Sequence, residues 1–280
     1  MTTDAAAFTT SQTRDARVDE VRFINTLASE WSKLTSLRST YIVLGLGFVL
    51  SILATGLGTF AVGETFDGWS EAQQATFEPI AFAMLGNVIA LIVATVFGVL
   101  AVSSEYSNGM IQLSMIATPR RARVLWAKVL LVFGVTLGFG LATVAGMFLV
   151  GQAVLGAAGL PTATLGDSDA LRFVVGLGAA TPLFPIIGLA LGVILRSTAG
   201  AITAALGILW LPLVFNNMLP LSVQEHVLSR LPGAAIDSVT ISHVVQSTTD
   251  SPLMVGIALV VAWLVGFVGI AQVLLQRRDA

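Results

Sequence analysis

The stretch that decides the fold is residues 103–128, SSEYSNGMIQLSMIATPRRARVLWAK, the one long polar interruption between two very hydrophobic runs. It carries four of the fourteen Lys and Arg residues of the chain, three of them at Arg120, Arg121 and Arg123. A basic loop between two apolar runs is typical of the cytoplasmic side of a membrane protein. We therefore expect a loop that is offered to a partner on that side.

The composition places the chain in a membrane. Hydrophobic residues make up 55% and charged residues only 11%, and the mean hydropathy is +0.88, whereas soluble domains carry about 25% charged residues. Cysteine is absent, and two histidines are too few for a histidine-based metal site. Neither Lys33 nor Lys128 follows a glycine, as a phosphate-binding loop requires. We expect no cofactor, no metal and no nucleic acid to be bound by this chain, and no ATP site of its own.

Runs of apolar residues of about 20 predict six membrane spans in an all-α fold. We expect residues 1–19 to be a disordered lead-in, residues 20–39 to form an amphipathic helix, and residues 40–280 to form a single transmembrane domain. The predicted spans cover residues 41–62, 79–102, 129–155, 171–195, 199–219 and 253–275. Prolines predict a kink at Pro182 and Pro185 in the fourth span and a break near Pro212 in the fifth.

The segment before the first span has helical periodicity. Its apolar residues recur at steps of three and four: Val21, Ile24, Leu27, Trp31, Leu34 and Leu37. This pattern allows a solvated helix or a helix that lies in the membrane surface. We favour the surface helix, because an apolar stripe directly before a span has few other places to be buried.

The distribution of basic residues sets the orientation. With the amino terminus inside, Arg172 and Arg230 are the only Lys or Arg residues in the outer segments, and the other twelve lie on the inner side. Lys and Arg are retained on the cytoplasmic side. We therefore expect a multi-pass protein of the inner (plasma) membrane with both termini in the cytoplasm.

Two segments of this chain resemble the permease subunits of type-2 ATP-binding-cassette (ABC) exporters. The residues that carry the resemblance are Glu30-Trp31-Ser32-Lys33-Leu34 and Arg38-Ser39 before the first span, and Glu105, Gly109-Met110-Ile111, Pro119-Arg120-Arg121 and Lys128 after the second span. Met110 stands where the family usually has threonine.

The resemblance implies a dimer of permeases, identical or homologous, on two copies of a separate cytoplasmic ATPase that binds ATP and Mg²⁺. It also implies that the loop at residues 103–128 docks on that ATPase, and that residues 220–252 form short re-entrant helices on the outer side. The predicted coupling residues are Glu105, Gly109, Met110, Leu113, Ile116, Pro119, Arg120 and Arg121, and those of the surface helix are Glu30, Trp31, Lys33 and Arg38.

The roles of these loop residues differ in kind. Glu105 either holds the loop in register or is a solvated carboxylate at the end of a span. The arginines retain the loop in the cytoplasm, and their contact with the ATPase stays open. Met110, Leu113 and Ile116 have helical spacing and offer a small apolar face to a partner groove.

The cargo follows from the absence of charge inside the spans. A route lined by apolar residues favours export of an amphipathic or lipid-like substrate, such as a drug, peptide, glycolipid or metabolite. Asn87, Asn216 and Asn217 either line that route or join helices. An intramembrane enzyme would need ionisable residues at membrane depth, so we predict a transport subunit without enzymatic activity. An ATP-independent channel or an assembly factor is the alternative.

Overall fold

The computed structural model describes residues 23–107, 121–215, 218, 220–240 and 253–277. Within these residues every regular element is helical, which confirms the predicted all-α fold. The helices are α1 (Phe23–Ser36), α2 (Arg38–Thr65), α3 (Glu71–Ala75), α4 (Pro79–Phe82), α5 (Asn87–Ser107), α6 (Arg121–Ala157), α7 (Ser168–Ala180), α8 (Leu183–Leu195), α9 (Thr198–Phe215), α10 (Leu221–His226), α11 (Pro232–Thr240) and α12 (Leu253–Arg277), with 3₁₀ turns at Phe66–Gly68 and Leu228–Arg230.

Four helical stretches among the described residues are long and apolar enough to cross a membrane. They are Arg38–Gly68, Ala122–Ala157, Ser168–Leu195 and Met254–Arg277. Two shorter apolar helices, Asn87–Ser103 and Thr198–Pro212, lie at the second and fifth predicted spans. Each of the six predicted spans overlaps one of these apolar helical stretches, while the count and the bounds of the spans stay predictions.

The helices have a basic end and an acidic end. Lys128 near the start of α6, Arg196 after α8 and Arg277 at the end of α12 lie at the basic end, where the central loop is attached. Segments 63–78 and 158–169 lie at the opposite, acidic end and carry Glu and Asp but no Lys or Arg, whereas segment 220–240 at the same end carries Arg230 as well as Glu225 and Asp237. This separation of charge follows the order of the helices along the chain.

The helix α8 forms the centre of the bundle. All residues from Leu183 to Val193 are buried, and α8 packs against α5, α9 and α12. A Cβ added to Gly98 of α5 would clash with the backbone of Pro185, so the two backbones touch directly. By contrast, α2 and α12 lie at the periphery, since only 22% and 17% of the residues in an 18-residue apolar stretch of each helix are buried.

The second apolar segment is interrupted rather than continuous. Residues 83–86 form turns between α4 and α5. Gly86 lies so close to α2 that a Cβ there would clash with the carbonyl group of Ser51. Its N–H donates to Thr55 Oγ1 at 3.1 Å, which satisfies a backbone group that the turn removes from the helical pattern. The predicted span at residues 79–102 thus consists of two helical pieces held against α2.

Prolines act differently in the fourth and fifth segments. The fourth segment is interrupted at Pro182, one of the two prolines of the predicted kink, because α7 ends at Ala180 and α8 begins at Leu183; Pro185 lies inside α8. The predicted break near Pro212 is wrong, since α9 continues through Pro212 to Phe215. Proline is tolerated in apolar membrane helices, where local adjustments and neighbouring groups satisfy the freed backbone.

The acidic end is built from short elements. Residues 220–240 form α10, a 3₁₀ turn and α11, while residues 241–252 lie outside the described residues. The re-entrant helices predicted for residues 220–252 stay a prediction. Trp263 of α12 donates its Nε1–H to the carbonyl oxygen of Arg230 at 2.8 Å. Gln152 of α6 donates to the carbonyl oxygen of Pro79 at 3.0 Å and accepts from the Ala163 N–H at 2.7 Å. These bonds hold the connecting segments onto the bundle, and their depth relative to a bilayer stays a prediction.

Candidate functional site at the base of the central loop

The central loop leaves and re-enters the bundle at the basic end. The helix α5 continues to Ser107 and α6 begins at Arg121, so both ends of the predicted loop at residues 103–128 are helical. Lys128 Nζ donates to the carbonyl oxygen of Ala101 at 3.4 Å, which joins the two helices where they emerge. A movement of the loop therefore acts on a pair of helices that are already connected.

Several predicted coupling residues lie outside the described residues: Gly109, Met110, Leu113, Ile116, Pro119 and Arg120. Glu105 lies in the last turns of α5, and Arg121 is the first residue of α6. The roles assigned to all of these side chains stay predictions.

Glu30 is the centre of an ion-pair cluster between α1 and the first turns of α6, which follow this loop. Its Oε2 lies 2.5 Å from Lys128 Nζ, and its Oε1 accepts from Lys33 Nζ at 2.6 Å. The Glu30 and Lys128 side chains are only 5% and 9% exposed, while that of Lys33 is 31% exposed. Each carboxylate oxygen therefore has its own ammonium partner, and the pair between α1 and α6 is excluded from solvent.

The electrostatics favour the ionised form of Glu30. Burial by itself would raise the pKa of this carboxyl group. The charge of Lys128, together with hydrogen bonds from Lys128 and Lys33, outweighs burial and lowers the pKa below its ordinary value of 4.5. Glu30 is therefore a carboxylate at neutral pH, and removing one partner of such a buried pair costs about 3–5 kcal/mol.

The polar face of α1, rather than its apolar face, is turned toward the bundle. Thr26 and Glu30 are buried, whereas Ile24 is 68% and Trp31 49% exposed. Of the predicted apolar stripe, Leu34 packs onto the core. The exposed apolar residues are consistent with the predicted position in the membrane surface, which stays a prediction because the structure contains no bilayer.

The first turns of α6 are also connected to α12. Trp126 donates its Nε1–H to Gln272 Oε1 at 3.0 Å. Together with the contacts of Lys128, this places α1, α5 and α12 in direct contact with the start of one helix. We call the group formed by Glu30, Lys33, Ala101, Trp126, Lys128 and Gln272 the loop-base cluster.

Sequence reasoning found Glu30, Lys33 and Lys128 as members of two separate motifs and missed that they pair. It also missed Trp126 and Gln272 entirely. A lysine directly before a long apolar run, together with a glutamate in the preceding amphipathic helix, was the signal available for the ion pair. No comparable signal marks the bond between Trp126 and Gln272.

The other predicted site residues are not members of the loop-base cluster. Arg38 is exposed at the start of α2, and Asn87 is half-buried at the start of α5. Asn216 and Asn217 lie outside the described residues. Among the residues that are described, no three His, Cys, Asp or Glu side chains form a group that could hold a metal ion.

The comparison with known families bears on the same segments. The family model described as ABC-2 family transporter protein matches residues 26–214, which is more than half of the chain and includes most of α1, the loop-base residues up to Lys128 and the central helix α8. No curated protein matches the chain. This chain belongs to the ABC-2 family and is a multi-pass membrane permease component of an ABC transporter, the class that works with an ABC ATPase.

Proposed function

We propose that this chain is the permease of an ATP-driven exporter, powered by a separate ATPase subunit that docks on the central loop. The observation that carries the proposal is the loop-base cluster. The start of α6, which directly follows the loop, is bonded to α1, α5 and α12. A partner that displaces the loop would thereby act on four helices at once.

The proposed complex contains two copies of the ATPase and a second permease chain, identical or homologous. The family membership supports the ATPase partner. The exposed apolar surfaces of α2 and α12 are available to lipid or to a second permease: Leu46 is 55%, Leu57 70% and Val265 64% exposed. ATP and Mg²⁺ are bound by the ATPase, and this chain supplies the membrane route.

The proposed cargo is amphipathic or lipid-like and moves out of the cytoplasm. The apolar segments of the chain carry Arg and Lys only at their ends, and an ionic substrate would require paired charges at membrane depth. Asn87 is a candidate polar group on this route, because it starts α5 at the interruption of the second segment.

The proposed orientation puts the loop-base cluster on the cytoplasmic side of the plasma membrane. The basic residues at that end and the acidic segments at the other support it through the retention of Lys and Arg in the cytoplasm. A cytoplasmic ATPase can dock on the central loop only if the loop lies on the cytoplasmic side of the membrane. Both termini then lie in the cytoplasm.

Affinity purification of the tagged chain from its native membranes in mild detergent tests this function. Mass spectrometry should identify a co-purifying protein that carries a phosphate-binding loop. Replacement of Met110, Leu113 and Ile116 by serine should reduce its recovery, because the predicted apolar face is lost. Replacement of Ile111 and Met115 by serine is the matched control, since it removes apolar side chains of the same loop from outside that face.

Two results would contradict the proposal. Recovery of the chain without any ATPase in several detergents would favour an ATP-independent channel or an assembly factor. Equal loss of the ATPase in the test and control variants would show that the apolar face is not the docking element.

A further inference from the structure

The ion pair between Glu30 and Lys128 connects the base of the central loop to the helix that enters the first span. We propose that Glu30 is a positioning residue that transmits the ATPase-driven movement of the loop from α6 through α1 to α2. This inference rests on the proposed function and adds a route by which the movement reaches the periphery of the bundle. Without the pair, the ATPase still binds and hydrolyses ATP, but α2 no longer follows.

The contacts of Glu30 make α1 and α6 move as a unit. Its two oxygens are bonded separately, to Lys128 and to Lys33, so the carboxylate cannot rotate away from one partner without losing the other. Sliding α1 along α6 would separate two charges that are almost completely excluded from solvent. Such a separation is strongly unfavourable, whereas apolar contacts alone would permit small shifts.

The connection from α1 to α2 is very short. The single residue Leu37 separates the two helices, with φ −84° and ψ 108°. The Thr40 N–H donates to the carbonyl oxygen of Leu37 at 3.1 Å, which closes the first turn of α2 directly after this residue. Because only one residue lies between the two helices, a displacement of α1 has little chain in which to be absorbed before it reaches the start of α2.

The helix α2 is suited to respond, because the chain restrains it on one side only. Its buried residues are Gly47, Ser51, Thr55 and Thr59, which form a narrow stripe of small side chains. The opposite side is exposed and apolar. The central α8 has no such freedom, since its residues are buried on all sides.

The residue Thr26 provides a matched control. It lies one turn before Glu30 on the same buried face, 6% exposed, and its hydroxyl has no hydrogen-bond partner among the described residues. The substitution Thr26→Val keeps the shape of the side chain and removes no charge. It should leave the coupling between α6 and α2 intact.

The experiment uses spin labels, because the chain contains no cysteine that would have to be removed first. Labels are attached to Cys at Leu57 in α2 and at Met254 in α12, which are 70% and 77% exposed. Pulsed electron resonance measures the distance between them in the complete complex with its ATPase in lipid nanodiscs, without nucleotide and with ATP and vanadate. ATP hydrolysis is measured in the same preparations.

Three variants separate a coupling role from a structural one. In Glu30→Gln and in the double variant Glu30→Met with Lys128→Met, the nucleotide-dependent change in distance should be lost while ATPase association and hydrolysis persist. The double variant guards against misfolding, because replacing a buried ion pair by apolar residues of similar volume is often neutral or stabilising. The control Thr26→Val should retain the change in distance.

The outcomes distinguish this inference from the proposed function. If the double variant assembles and its distance still changes with nucleotide as in the unmodified chain, Glu30 has no coupling role, although the function stands. If the unmodified chain binds no ATPase, the proposed function fails. If it binds ATPase but shows no change in distance, the movement of α2 does not occur and the inference is wrong.

Discussion

The stability of the Glu30–Lys128 pair gives the sharpest test of the geometry at the loop base. In Glu30→Met, Lys128 loses the carboxylate oxygen that lies 2.5 Å from its Nζ. Because the Lys128 side chain is only 9% exposed, water cannot replace this counter-charge, and we expect a loss of about 3–5 kcal/mol in the free energy of unfolding, the range for removing one partner of a buried ion pair. In Lys128→Met the cost should be smaller, because Glu30 keeps Lys33, which reaches solvent.

The double variant completes the cycle. With both charges replaced by Met, no buried charge is left unpaired, so the loss should be much smaller than the sum of the two single losses. Thermal unfolding in mild detergent, followed by tryptophan fluorescence, should order the midpoints with Glu30→Met lowest, Lys128→Met next and the double variant near the unmodified chain. Additive losses in the double variant would show that the two residues do not interact, which would refute the placement of α1 on α6.

Three other predictions concern single positions. The stability difference between the unmodified chain and Glu30→Gln should be constant from pH 7 to about pH 4.5 and shrink at lower pH. The reason is that the pKa of Glu30 is lowered in the folded state, so the stability that its charge contributes is lost as the pH falls from the unfolded pKa through the folded one. Unfolding midpoints measured against pH test this, and a difference at pH 3 as large as at pH 7 would contradict it. Gln152→Met should cost about 1–3 kcal/mol, because it leaves the Ala163 N–H without its partner, whereas the Pro79 carbonyl oxygen keeps the Ala83 N–H at 3.1 Å. An unchanged midpoint would show that the bond to Ala163 does not form. Gly98→Ala should force α5 away from α8 and cost about 1–3 kcal/mol or more of stability. The control Gly138→Ala should not destabilise the chain, because nothing lies within 4 Å of the added Cβ. Equal shifts of the unfolding midpoint in the two variants would contradict the close packing of α5 on α8.

The sequence predicted the positions of the apolar helices better than their ends. Counting apolar residues starts the third span at residue 129, whereas α6 begins at Arg121. Charged and small residues such as Arg and Ala form helices readily, so a helix continues past the point where its residues stop being apolar. The same reason extends α5 to Ser107.

The interruption at residues 83–86 could not be predicted from local composition. Gly86 is one of 27 glycines, and most of the others that were assigned to spans lie inside continuous helices. What distinguishes Gly86 is the backbone of α2 beside it and the hydroxyl of Thr55 that accepts its N–H. Both features come from packing between segments that are distant in the sequence.

The same limit applies to the loop-base cluster. Resemblance to a family picked out Glu30 and Lys128 separately, but periodicity relates only residues within one helix. The apolar stripe of α1 gave no information about the adjacent polar residues Thr26 and Glu30, which are buried.

Photo-crosslinking from the central loop tests the central claim most directly. Benzoylphenylalanine at Leu113 in native membranes should crosslink to a protein that carries a phosphate-binding loop. The same probe at Met254, which is 77% exposed at the opposite end of the bundle, should not. A crosslink to that ATPase from Leu113 alone would establish both the docking element and the side of the membrane on which it lies. The absence of that crosslink from Leu113, or its appearance from Met254, would contradict the account.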